Sequence, residues 1–138
     1  MSAIVVNTDA WPIVRVNWHG QQTDEDLENY FQATYAYNRR DQPFVVITWV
    51  HSYKNSAGHR EKTARFIADT DAATRKNCVA GAMIHTSGAL RFVLSTIFLV
   101  KPLPMPYTVV SSLPEALRFL KGHAVKRRLT LPATVQWF

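Results

Sequence analysis

The chain has 138 residues, 47% hydrophobic and 19% charged, with sixteen Lys and Arg against ten Asp and Glu, a net charge of +6. That length makes one domain able to bury roughly two thirds of the surface its unfolded chain exposes, and that composition excludes long disorder. The lone Cys78 excludes an internal disulfide and a thiolate metal cluster. The start at Met1-Ser2-Ala3-Ile4 lacks the basic-then-apolar pattern of a secretion signal, and the longest apolar segment, Phe92 to Val100, is far short of a membrane span. A soluble cytoplasmic protein is the expectation.

Ile4-Val5-Val6 reads as a short strand, Thr8 to Pro12 as a turn, and Ile13 to Trp18 as a second strand paired with the first. Thr23-Asp24-Glu25-Asp26 is a capping box, followed by Leu27, Tyr30, Phe31, Thr34 and Tyr37 at helical spacing to about Asn38. Pro43 to Val50 is apolar on both alternating faces, as a central strand covered on both sides must be. A polar hinge, His51 to Gly58, leads into a helix that Ser56 can cap and whose pattern fades around Asp71 to Asn77. Cys78 to His85 is another buried strand, whose Ala80, Gly81 and Ala82 let a helix lie close. Thr86-Ser87-Gly88 caps a helix from Ala89 to Val100, and Pro102, Pro104 and Pro106 form a stiff connection to a last strand, Tyr107 to Val110. Ser112-Leu113-Pro114-Glu115 is a second capping box, and Gly122 is expected to end its helix.

The order is β-β-α-β-α-β-α-β-α, an α/β domain with one mixed, mostly parallel sheet. With its leading hairpin, and with Tyr107-Thr108-Val109-Val110-Ser111-Ser112-Leu113-Pro114-Glu115-Ala116 as a closing strand and helix, it resembles the STAS-type domains, the bacterial anti-anti-sigma factors and the wider SpoIIAA-like group. The resemblance covers about residues 4 to 121 and implies a βα superhelix with helices packed against the sheet. It also implies a protein that binds other proteins and catalyses nothing. Phosphorylated members carry Asp-Ser-Ser-Gly after the central strand. Here the nearest match is Asn55-Ser56-Ala57-Gly58, with Ala57 at the acceptor position.

His19, His51 and His85 each end a strand, and His59 follows the hinge. If the strands are parallel neighbours, His51 and His85 share one rim with His59 near them. Imidazoles suit zinc, copper or nickel, but no pair has the spacing of ligands on one helix face, and strand ends that meet water tolerate His. His59-Arg60-Glu61 lacks the Pro-Cys-x-x-Cys of zinc deaminases. No phosphate loop and no nucleophile elbow occur. Cys78, inside an apolar strand, reads as inert core. No catalytic residue, metal site or cofactor is therefore assigned.

The third helix is apolar nearly all round: Leu90, Val93, Leu94 and Ile97 form one face, while Phe92 and Leu99 fall away from it. A second apolar face fits a contact between molecules, most simply a two-fold homodimer. Residues 1–122 are then a STAS-like domain and 123–138 an arm, first basic (Lys126-Arg127-Arg128) and then apolar, ending in Trp137-Phe138.

The resulting reading is a bacterial regulatory protein-interaction or signalling module acting as a homodimer, with Phe92, Leu99 and Trp137 at the interface. Ser52, Ser56 and His59 form the recognition or switch hinge. The competing reading is a small apolar-ligand or lipid binder with a pocket lined by Tyr30, Tyr35, Tyr37, Trp49 and Tyr53. Nucleic-acid binding ranks last, because the basic cluster has no recognition helix or stacking platform beside it.

Overall fold

The apolar run Phe44–Val50 forms β3, the middle strand of a five-stranded sheet. The strand order follows the chain: β1 (Ile4–Asn7), β2 (Ile13–Trp18), β3, β4 (Cys78–Ile84) and β5 (Tyr107–Val110). β1 runs antiparallel to β2, and every later neighbour is parallel. The computed structural model describes residues 3–51, 57–100 and 102–132. Its helices are α1 (Asp24–Asn38), α2 (Ala57–Asn77), α3 (Gly88–Val100) and α4 (Leu113–Lys126).

Three parallel connections each move one place along the sheet in the same direction. The right-handed rule for such crossovers places α1, α2 and α3 on one face. On that face Val14, Val16, Phe44 and Cys78 meet Leu27, Phe31 and Tyr37 of α1 and Phe66 of α2. Further along it, Phe98 of α3 lies edge-on to Tyr107, with ring centroids 5.0 Å apart. On the opposite face Ile13, Val45, Ile47, Ala80, Ala82 and Ile84 form one cluster with Ala116 and Leu120 of α4. The small residues of β4 thus divide their work. Ala80 and Ala82 face α4, whereas Gly81 faces the other way, and a Cβ there would come within 2.8 Å of Met105 Cε in the proline-rich connection.

Both capping signals form. Thr23 Oγ1 accepts from the Asp26 amide, and the Asp26 carboxylate accepts from the Thr23 amide at 2.8 Å and from the Ala3 amide at 3.2 Å, tying the start of α1 to the edge of β1. Ser112 caps α4, but the Glu115 carboxylate reaches one residue further back than a capping box predicts, to the amide and hydroxyl of Ser111. Those bonds, with that of Ser112, hold the Glu115 carboxyl below its ordinary range.

α2 ends at Asn77, within the stretch where its pattern is expected to fade, and is carried that far by the buried Thr70 and Asn77 and by the Arg75–Asp71 ion pair one turn apart at 2.7 Å. One helix end differs from the sequence reading. α4 passes through Gly122, because the buried positions Ala116, Leu120 and Ala124 recur every four residues and keep the helix on the sheet beyond it. Its stop is a Schellman motif. Arg128 takes the left-handed conformation (φ 56°), its amide donates to Val125 O, and the Leu129 amide donates to Ala124 O at 2.9 Å.

Replacing Ile47, fully buried against α4, with Ala is expected to lower unfolding free energy by about 2–5 kcal/mol. Leu99→Ala, on the exposed side of α3, should stay within about 0.5 kcal/mol of the parent in dilute protein. Urea denaturation of both variants checks the contrast.

Candidate functional site

Because β2, β3 and β4 are parallel, their carboxyl ends share one edge, where open α/β sheets gather their chemistry. The register pairs Trp18 with Val50, so the next residues, His19 and His51, lie side by side on neighbouring strands. Their rings stack with centroids 4.6 Å apart and planes 5° from parallel, and the Trp49 indole stacks on the other side of His51 at 5.3 Å and 8°. His51 Nε2 lies within hydrogen-bond distance of Asn17 Oδ1, at 3.1 Å. Burial, then the nearby imidazoles of His19 and His85, push His51 below its ordinary value of 6.5. His85 belongs to the same rim, and its Nδ1 accepts from the Ser87 amide at the start of α3.

His59 does not join this rim. It lies at the start of α2, with Nε2 2.9 Å from Asp24 Oδ1, and Lys62 reaches the same carboxylate at 3.1 Å. The hydrogen bond and charge of Lys62, and then those of His59, hold the Asp24 carboxyl below its usual range. The partner of His51 is therefore His19, which sequence reasoning noted as a strand end without pairing it. The signal was present: each histidine is the first residue after its strand, and parallel pairing in register brings two such residues together. Ser52, Ser56 and Tyr53 of the hinge and Trp137 of the arm lie outside the described residues.

Among the described residues, no three His, Cys, Asp or Glu side chains converge as metal ligands, and no helix is long and apolar enough to cross a membrane. Burial pushes the Cys78 thiol up to about 12, so it is held as the unreactive thiol. The aromatics of α1 are packed rather than arrayed around a space. Phe31 and Phe66 stack at 4.3 Å, and Tyr30 and Tyr35 close on Phe66 at 5.8 and 5.7 Å. An open depression beside His19 is lined instead by Ala3, Gly20, Thr23 and Glu25.

The second unusual surface is α3. Ser87 caps it, accepting from the Leu90 amide, and Arg91 Nη1 anchors its first turn to His85 O at 2.7 Å. Leu90, Leu94 and Phe98 are half-buried toward the sheet. Phe92, Leu99 and Val100 are 74%, 80% and 79% exposed. Val93, expected on the inward face, is 48% exposed. At 100° per residue Phe92, Val93, Thr96, Leu99 and Val100 fall in one arc, an apolar stripe without a charge. The basic residues Lys126, Arg127 and Arg128 are exposed at the far end of α4, where cations offset the negative helix pole.

The chain matches no family model, and no curated protein or solved structure aligns with it significantly.

The lowered His51 value has a definite sign. The folded protein favours the neutral ring, so this contribution to stability is complete above pH 6.5 and is lost as pH falls from there through the folded value. In an NMR titration His51 is expected to protonate below 6.5, and His19→Gln should move that midpoint upward by removing a neighbouring positive charge. An unchanged midpoint would show that the stacked pair does not couple.

Proposed function

We propose that this chain is a STAS-like, non-catalytic protein-interaction module of the bacterial cytoplasm that works as a homodimer through the outer face of α3. The exposed stripe Phe92, Val93, Leu99 and Val100 carries the reading. A helix exposing this much apolar surface loses the hydrophobic stabilisation that burial against a partner supplies. Side chains of these sizes at these exposures present roughly 500 Å² of apolar surface. A standard interface buries about 800 Å² per partner, about 65% of it apolar in homodimers, so the stripe alone approaches the apolar share of one half of such a contact. A second copy is the natural occupant, because a two-fold axis sets an uncharged stripe against its own equivalent.

The order of elements and the paired caps support the STAS-like arrangement. In this reading the region that follows β3 is the recognition or switch surface. His59 is tied there to Asp24 of α1, so a change at the hinge reaches the first turns of both helices.

Light scattering of the purified chain is expected to give twice the 15.7 kDa chain mass, and Phe92→Glu combined with Leu99→Glu is expected to give a folded protein of one chain mass. A parent that stays monomeric at high micromolar concentration would contradict the homodimer.

A further inference from the structure

The parallel topology sorts charge along the strands. α1, α2 and α4 each start at the carboxyl edge of the sheet and end at its amino edge, where β3 and β4 begin. α1 ends there in Arg39 and Arg40, and the Arg40 guanidinium lies 4.2 Å over the Trp11 ring, which itself packs on Phe44, the first residue of β3. α4 brings Lys126, Arg127 and Arg128 to the same edge, with Arg127 close enough to act electrostatically on the thiol of Cys78, the first residue of β4. Phe44 and Cys78 are register partners, so two basic clusters far apart in the chain share one edge of the fold. All five side chains are exposed. Among the described residues none of the five pairs with a carboxylate, whereas Lys76 is paired with Asp41 at 2.9 Å and Arg75 with Asp71 at 2.7 Å. No Asp or Glu follows Glu115 in the sequence.

Helix poles account for little of this charge. Each helix C-terminus is equivalent to roughly half a negative charge, so the ends of α1 and α4 together offset about one of the five cations. The remainder repel one another in the free protein. Arg128 adds a separate strain, because it holds the left-handed φ of 56° at which glycine is the least strained residue. An arginine is thus kept where glycine would make the more stable turn. We propose that this amino edge binds the phosphate backbone of duplex nucleic acid, without reading base sequence, through Arg39, Arg40, Lys126, Arg127 and Arg128. The proposal stands independently of the α3 contact. Four of the five are arginines, whose planar fork meets two phosphate oxygens at once, and Arg40 is held in place by the indole beneath it. That guanidinium covers Trp11, which leaves no open ring there for an unpaired base and favours a duplex over a single strand. Docking on an anionic bilayer calls for Trp, Phe or Leu among the cations. On α1 and α4 the large apolar side chain exposed among the described residues is Val125 alone.

The test is fluorescence anisotropy of a labelled DNA duplex of about 20 base pairs, titrated with the full chain between about 50 and 200 mM salt. Five neutralised phosphates give a log–log salt slope of about −4.5, so affinity is expected to fall roughly 500-fold over that range, and equally for duplexes of unrelated sequence. Arg128→Gly is expected to weaken binding and make the slope shallower by about 1 while raising the melting temperature, a combination that damage to the fold does not produce. Arg39→Gln and Lys126→Gln should each make the slope shallower by a similar amount. Lys62→Gln removes the same charge from the opposite edge, beside Asp24, and should leave the slope at the parent value. The proposal is overturned if the chain fails to bind the duplex at the lowest salt, or if the three patch variants bind with the parent's affinity and slope. Binding to vesicles of phosphatidylserine and phosphatidylcholine, without binding to the duplex, overturns it as well and assigns the edge to a membrane surface.

Discussion

The structure depends on one constraint, that β3 must be covered on both faces. Phe44 packs toward α1 and α2, Val45 and Ile47 pack toward α4, and no solvent-facing side is left along this part of the strand. A strand of this kind cannot lie at an edge, so it must be flanked by β2 and β4 and sandwiched between helix layers. The parallel pairing on either side follows from the helical crossovers, and it brings three strand ends to one edge. The stacked His19, His51 and Trp49 rings are a consequence of that register rather than of local sequence.

The same demand leaves the periphery incomplete. α1 and α2 fill their face with interlocked aromatics, and α4 seats Ala116, Leu120 and Ala124 on the other. α3 lies at β5, the last strand of the sheet among the described residues. There it half-buries Leu90, Leu94 and Phe98 and leaves the opposite arc in water. Among the described residues, Phe92, Leu99 and Val100 of this helix thus stay largely uncovered.

Much of this was legible in the chain because local chemistry decided it. The Thr23 and Ser112 caps, the two-faced run of β3 and the exposure of Phe92 and Leu99 all rest on residues near one another in sequence. What escaped was decided by tertiary contact. Gly122 looked like a stop, but Ala124 is buried, and the true stop is an arginine in a conformation that glycine usually fills. Val93 was misplaced because a helix apolar all round offers no contrast to show which arc turns inward. The His19–His51 pair required the strand order and the register, neither of which a single strand encodes, and His59 was drawn to Asp24 by a helix contact instead.

The central claim is that the outer face of α3 is an interface rather than an exposed remainder. Amide hydrogen exchange, compared between dilute and concentrated protein, tests it most directly. The account predicts slower exchange at high concentration, confined to Phe92–Val100, while the amides of β3 exchange equally slowly in both. Protection of α3 that does not change with concentration, in a protein that stays monomeric, would contradict it.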